Sequence, residues 1–108
     1  MGVKLPAPPP PLERHIQAQM VQYLKLTGWC VWELFKGTER GGHVRMTPGM
    51  PDLYAFRPGR ALWLELKRPK LGRLSPSQVE RHIELRLCDI PVHVVTSLEE
   101  LRAALGAS

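Results

Sequence analysis

Apolar residues recur every fourth position at Leu12, Ile16, Met20 and Leu24, with Tyr23 beside them, the spacing of one helix face. Pro11 suits the start of such a helix and Gly28 its end, so the pattern predicts a helix over 12–28. The run WCVWELF at 29–35 is rich in aromatic and β-branched residues and reads as a strand. Residues 37–49 hold four glycines and a proline, which predicts a loop. Two further strands, DLYAF at 52–56 and ALWLELK at 61–67, flank a Pro58-Gly59 turn signal and predict an antiparallel hairpin. After a basic loop, Ser75, Pro76 and Gln78 form an S-x-x-Q capping box that opens a helix, with Val79, Ile83 and Leu87 as its apolar stripe. PVHVV at 91–95 reads as a short buried strand. Ser97 then opens a last helix by the same capping device, with Leu98, Leu101 and Leu105 facing inward.

The predicted order is therefore α-β-β-β-α-β-α. A strand, a helix and another strand form a crossover, so 91–95 should lie parallel to 61–67. The fold class is α/β, with a mixed central sheet of about four strands flanked by helices. Residues 1–11 contain five prolines and predict an extended N-terminal arm, leaving 12–108 as a single domain.

Composition narrows the classes of partner. The 108 residues suit one domain with a modest core that oligomerisation would help. Lys and Arg total 15 against 10 Asp and Glu, for a net charge of +5, and such an excess favours polyanionic partners, nucleic acid above all. Ten of the 15 are arginine, whose fork matches phosphate. Cys30 and Cys88 have no C-x-x-C spacing and read as buried free thiols of a reducing compartment. No apolar run approaches a membrane span, and the N-terminus lacks the apolar stretch of a signal peptide. Both point to a soluble cytoplasmic protein with no membrane partner.

The hairpin strands also carry charges, which bury only at a cost unless paired or bound to metal. With the turn at Pro58-Gly59, facing residues have numbers that sum to 117, so Tyr54 faces Trp63 and Asp52 faces Glu65. Side chains alternate along a strand, so Glu65 and Lys67 share a face, and directly opposed residues share one as well. Asp52, Glu65 and Lys67 thus converge. Two carboxylates so close repel unless something positive lies between them, and Mg²⁺ accepts one or two carboxylates while keeping water and phosphate oxygens. A solvated Asp–Lys–Glu cluster on the outer face of a hairpin fits the same spacing. Leu62, Leu64 and Leu66 mark the opposite face as core. Arg68, Lys70 and Arg73 follow directly and would supply phosphate contacts, with Arg40 and Arg45 in the glycine loop as a second basic track.

The string Gly49-x-Pro51-Asp52-Leu53, then Glu65-Leu66-Lys67, then Leu74-Ser75 with Gln78 resembles the virus-type replication-repair nuclease (VRR-NUC) family of the PD-(D/E)xK superfamily. The resemblance spans about 12–96. It implies a restriction-endonuclease-like fold and Mg²⁺- or Mn²⁺-dependent cleavage of DNA, with preference for branched or junction DNA and a homodimeric assembly. By position it makes Asp52, Glu65 and the main-chain carbonyl of Leu66 metal ligands. Lys67 becomes the catalytic lysine, Glu13 the helix acid that touches metal, and Gln78 the helix glutamine that supports the site. Glu13 also stands in a first helical turn, where the dipole favours an acid regardless, and capping alone explains Gln78. The other class of function is a basic nucleic-acid-binding module of the same fold without turnover. None of His15, His43, His82 and His93 reads as a ligand or base, His43 in the glycine loop being the nearest prospect. Trp29, Trp32 and Trp63 read as core, Trp63 packing under the first helix. By parity Trp63 shares the face of Glu65, where it could instead stack a base.

Overall fold

Arg57 pairs with Arg60 across the Pro58-Gly59 turn, and every pair of the hairpin up to Leu53–Leu64 sums to 117. Gly59 takes φ +80°, the left-handed position that the second corner of a type II turn requires, after a proline at the first. The computed structural model describes residues 13–34 and 47–106. Its elements are α1 (Glu13–Leu26), β1 (Cys30–Glu33), β2 (Leu53–Arg57), β3 (Arg60–Leu66), α2 (Pro76–Leu87), β4 (Val92–Val95) and α3 (Leu98–Gly106). The strands form one mixed sheet in the order β1-β2-β3-β4, antiparallel except for the parallel pair β3–β4. The α-β-β-β-α-β-α order and the mixed α/β sheet are those expected. The proline-rich arm at 1–11, His43 and the part of the glycine loop carrying Arg40 and Arg45 lie outside the described residues.

The core lies on one side of this sheet. Leu53, Ala55, Leu62, Leu64, Leu66 and Val95 meet Ile16, Met20, Val21 and Leu24 of α1 and Leu101 of α3. Alternation explains the strand residues, and the four-residue repeat explains α1. Trp29 belongs to the same cluster and carries two guanidinium groups over its ring, Arg57 at 4.4 Å and Arg60 at 5.6 Å. Arg60 also donates to the carbonyls of Ala104 and Leu105, so the hairpin turn holds the C-terminal end of α3. Among the described residues no helix is long and apolar enough to cross a membrane.

Four expectations change here. The stripe of α2 faces outward, with Val79, Ile83 and Leu87 exposed by 42%, 51% and 79%; the helix turns its polar side to the sheet, and its buried residue is His82. Trp32 is exposed rather than core. Trp63 is half-buried on the side away from α1, because odd positions of β3 face opposite to Leu62 and Leu64. Cys30 and Cys88 are free, as expected, but exposed rather than buried, Cys30 on the edge strand and Cys88 at the C-cap of α2.

Candidate active site

The site forms where β2 begins and β3 ends. The ladder stops at Leu53–Leu64, and Asp52 replaces the next step with its side chain: Leu66 N–H donates to Asp52 Oδ2 at 2.7 Å. On its other side, Leu34 N–H donates to the Asp52 carbonyl at 2.9 Å. Asp52 is thus fixed from both neighbouring strands. In a strand, the N–H and C=O of one residue point to the same side, so the Leu66 carbonyl leans toward Asp52 as well.

Glu65 is fully buried, which for a carboxylate demands partners. Gln78 Nε2 donates to its Oε2 at 3.2 Å, and His82 Nε2 lies 3.1 Å from its Oε1. With Glu65 ionised, that contact takes the ring proton on Nε2, since a carboxylate only accepts. Gln78 has a second task. Its Oε1 accepts from Ser75 N–H at 2.8 Å while its own N–H donates to Ser75 Oγ. The capping box and the grip on Glu65 are one side chain, so capping and site support are not alternatives.

Gly49 explains how α2 comes so close. It adopts φ +79°, and a Cβ there would stand 2.2 Å from the Ser77 carbonyl oxygen. Only glycine satisfies both conditions. Gly49 therefore lies against the first turn of α2, three residues before Asp52, with the buried Pro51 between them.

Lys67 continues past the strand, its N–H donating to Val95 O at 3.0 Å, and its ammonium reaches Glu13 Oε1 at 3.8 Å. This contact links the end of β3 to the first turn of α1. Arg68 is half-buried, while Lys70 and Arg73 are exposed beyond it. Lys70 takes φ +63° in the tight turn that ends with Gly72 N–H on Arg68 O.

Asp52, Glu65, Leu66, Gln78, Lys67 and Glu13 thus lie around one end of the sheet. His82 joins them although sequence reasoning passed it over. Its signal is spacing: four residues after Gln78, it shares that residue's helix face, but the apolar stripe drew the eye to the opposite one. His15 is exposed on α1. Burial first, then Arg60 and Arg86, hold the imidazole of His93 below its usual pKa.

No protein-family model and no curated protein matches the sequence. The chain is similar to a solved structure described as a VRR_NUC domain, with a TM-score of 0.68 and 23% sequence identity over 88% of this chain and 95% of that one. The fold is that of a VRR_NUC domain. In this chain the VRR_NUC fold sets the P-D dipeptide at the mouth of β2 and the E-x-K triplet at the end of β3.

The donors gathered there suit a hard divalent cation. Among the described residues no three His, Cys, Asp or Glu side chains form a metal-holding group. The oxygen donors on offer are instead two carboxylates, Asp52 and Glu65, and the main-chain carbonyl of Leu66. Oxygen donors of this kind match Mg²⁺ or Mn²⁺ and not a soft metal.

Proposed function

We propose that the protein is a Mg²⁺- or Mn²⁺-dependent DNA endonuclease that hydrolyses phosphodiester bonds, preferentially in branched or junction DNA. The observation that carries this reading is the placement of Asp52 and the buried Glu65 on either side of Leu66, with Lys67 next in the chain. Asp52, Glu65 and the Leu66 carbonyl would hold the metal, with Glu13 near enough to Lys67 to join through water. When bound, such an ion lowers the pKa of a water and offsets charge building on the phosphate. The protein supplies the rest. Gln78 and His82 hold the Glu65 carboxylate in one orientation, and the Leu66 N–H does the same for Asp52. Lys67, half-buried with its ammonium near Glu13, orients the attacking water and adds positive charge beside the scissile phosphate.

The test is incubation of labelled duplex, single-stranded, flap and four-way-junction DNA with purified protein and Mg²⁺, Mn²⁺ or EDTA. Cleavage with either metal and none with EDTA is expected, most of it on branched substrates. Binding without cleavage under every metal condition would overturn the reading in favour of a non-catalytic DNA-binding module.

Arg68, Lys70 and Arg73 serve as phosphate contacts in this reading. Each neutralised phosphate contributes roughly 0.9 to the slope of log affinity against log salt. Replacing all three with Ala should flatten that slope by about 2.7 and weaken binding on all sequences alike. An unchanged slope moves the contact track to Arg40 and Arg45.

The functional unit is a homodimer, since one chain carries one Asp52–Glu65–Lys67 set and cutting both strands of a junction takes two. The exposed Val79–Ile83–Leu87 row supports this, as contiguous apolar surface serves association. Light scattering at micromolar concentration should return twice the chain mass of 12.2 kDa. A monomer mass with full junction-cutting activity would refute the dimer.

A further inference from the structure

Four aromatic rings crowd the face of the sheet opposite the core. Trp32 of β1 lies 5.7 Å from Tyr54 and 5.0 Å from Phe56, both of β2; Tyr54 lies 5.5 Å from Phe56 and 4.6 Å from Trp63 of β3. They are brought together by register, because Trp32 pairs with Tyr54 and Tyr54 with Trp63. The neighbouring carboxylate is turned away: Glu33 accepts from Gln17 of α1 on the core side of the sheet. Trp32 keeps 62% of its surface exposed, and the other three are half-buried. Among the described residues, α1 and α3 pack on the core side and α2 on β4. Among the described residues no helix packs on β2 from this side.

A contiguous apolar surface of this kind marks an interaction site. Its position relative to Asp52 and Glu65 bears on the occupant. Trp63 is two residues before Glu65, and Tyr54 is two residues after Asp52, on the same face of their strands. At a rise of about 3.3 Å per residue, the rings begin roughly 7 Å from the two carboxylates. At the far border Trp63 pairs with Val92, which lines an open hollow with Arg86, Asp89 and His93. The chain as a whole is basic, at +5. A second protein copy would be met by any apolar patch. A strand of nucleic acid with its phosphates at the carboxylate end, by contrast, would carry its bases directly over these rings.

We infer that Trp32, Tyr54, Phe56 and Trp63 form a stacking platform for unpaired bases next to the scissile phosphate. This inference rests on the nuclease reading and narrows its substrate to DNA with a single-stranded segment at the cut. Paired bases are already stacked and present only their edges, so a duplex gains nothing from the platform. Unpaired bases stack on aromatic rings regardless of sequence.

Trp32→Ala tests it, because an exposed edge-strand side chain can be removed with little effect on folding. Binding is measured in EDTA, where nothing is cut, with a 20-nucleotide oligothymidine and with a fully paired duplex of the same length. The variant should lose about tenfold in affinity for oligothymidine, keep its duplex affinity, and recover most of the loss as Trp32→Phe. In the wild-type protein oligothymidine should quench tryptophan fluorescence more than the duplex does, a readout that needs no variant. Equal losses on both DNAs, no loss, or no preferential quenching would overturn the platform. Unchanged oligothymidine binding with a lowered solution mass would assign the rings to a second copy. Because binding is read without metal, the two readings fail separately. Trp32-dependent single-strand binding without cleavage under any metal leaves the platform and removes the nuclease. Cleavage with Trp32-independent binding does the reverse.

Discussion

Asp52→Ala and Lys67→Ala are each expected to abolish cleavage, by about a thousandfold or more, the scale for groups acting at the reacting centre. Only the first should weaken Mn²⁺ binding. Asp52 is assigned as a ligand, whereas Lys67 is a cation that cannot coordinate and whose removal lowers local positive charge. Asp52 also accepts the Leu66 N–H, so alanine removes a structural contact as well. Asp52→Asn separates the two losses, since an amide oxygen still accepts that hydrogen bond but carries no charge. It should fold like the parent and still bind Mn²⁺ poorly. Calorimetric titration of the three variants decides the matter. Equal Mn²⁺ affinity in the parent, Asp52→Ala and Asp52→Asn proteins would sink the ligand assignment.

Gly49→Ala is expected to cost both stability and activity. A methyl group there meets the Ser77 carbonyl at 2.2 Å and the Gln78 nitrogen at 2.6 Å, all main-chain atoms, at φ +79°. The left-handed backbone alone costs an alanine about 1–2 kcal/mol, and forced contact typically adds about 1–3 kcal/mol. Gly59 provides the control. It has nearly the same φ, +80°, with nothing within 4 Å of a built Cβ, so Gly59→Ala carries the backbone cost without the clash. Melting temperatures should fall for both, and by about 10 °C or more for Gly49→Ala. Molecules of Gly49→Ala that remain folded should cut poorly, because relieving the clash moves the turn that carries Gln78 away from Glu65. Gly49→Ala proving no worse than Gly59→Ala in either measurement would show that the close approach to α2 has no such role.

Much of the fold is legible in the residues themselves. The two-residue turn pins the hairpin register, alternation assigns Leu62, Leu64 and Leu66 to the core, and the Ser75–Gln78 box marks where α2 begins. What misleads is α2. Periodicity reveals that a helix has two unlike faces, but the inference that the apolar one is buried assumes an apolar surface opposite. Here the sheet presents Glu65 instead, and a buried carboxylate selects Gln78 and His82 over Val79, Ile83 and Leu87. The tryptophans mislead in the same way, as hydrophobicity does not reveal which side of a sheet goes uncovered. For the site, the spacing of Asp52, Glu65 and Lys67 is legible because β geometry is regular. The tie between Lys67 and Glu13, 54 residues apart in the chain, depends on how α1 crosses the sheet, which no local pattern records.

The outward stripe of α2 has a consequence for how the molecule opens. A helix fastened by broad apolar burial is released only when the core itself gives way. The buried side chain of α2 is a histidine, and the helix adds no residue to the apolar core cluster, so its separation exposes little oily surface. Its lowest-energy route to exchange its amide hydrogens is therefore local detachment rather than global unfolding. The moment it lifts away, Glu65 meets water. The organised carboxylate is then expected to last only as long as one helix stays attached.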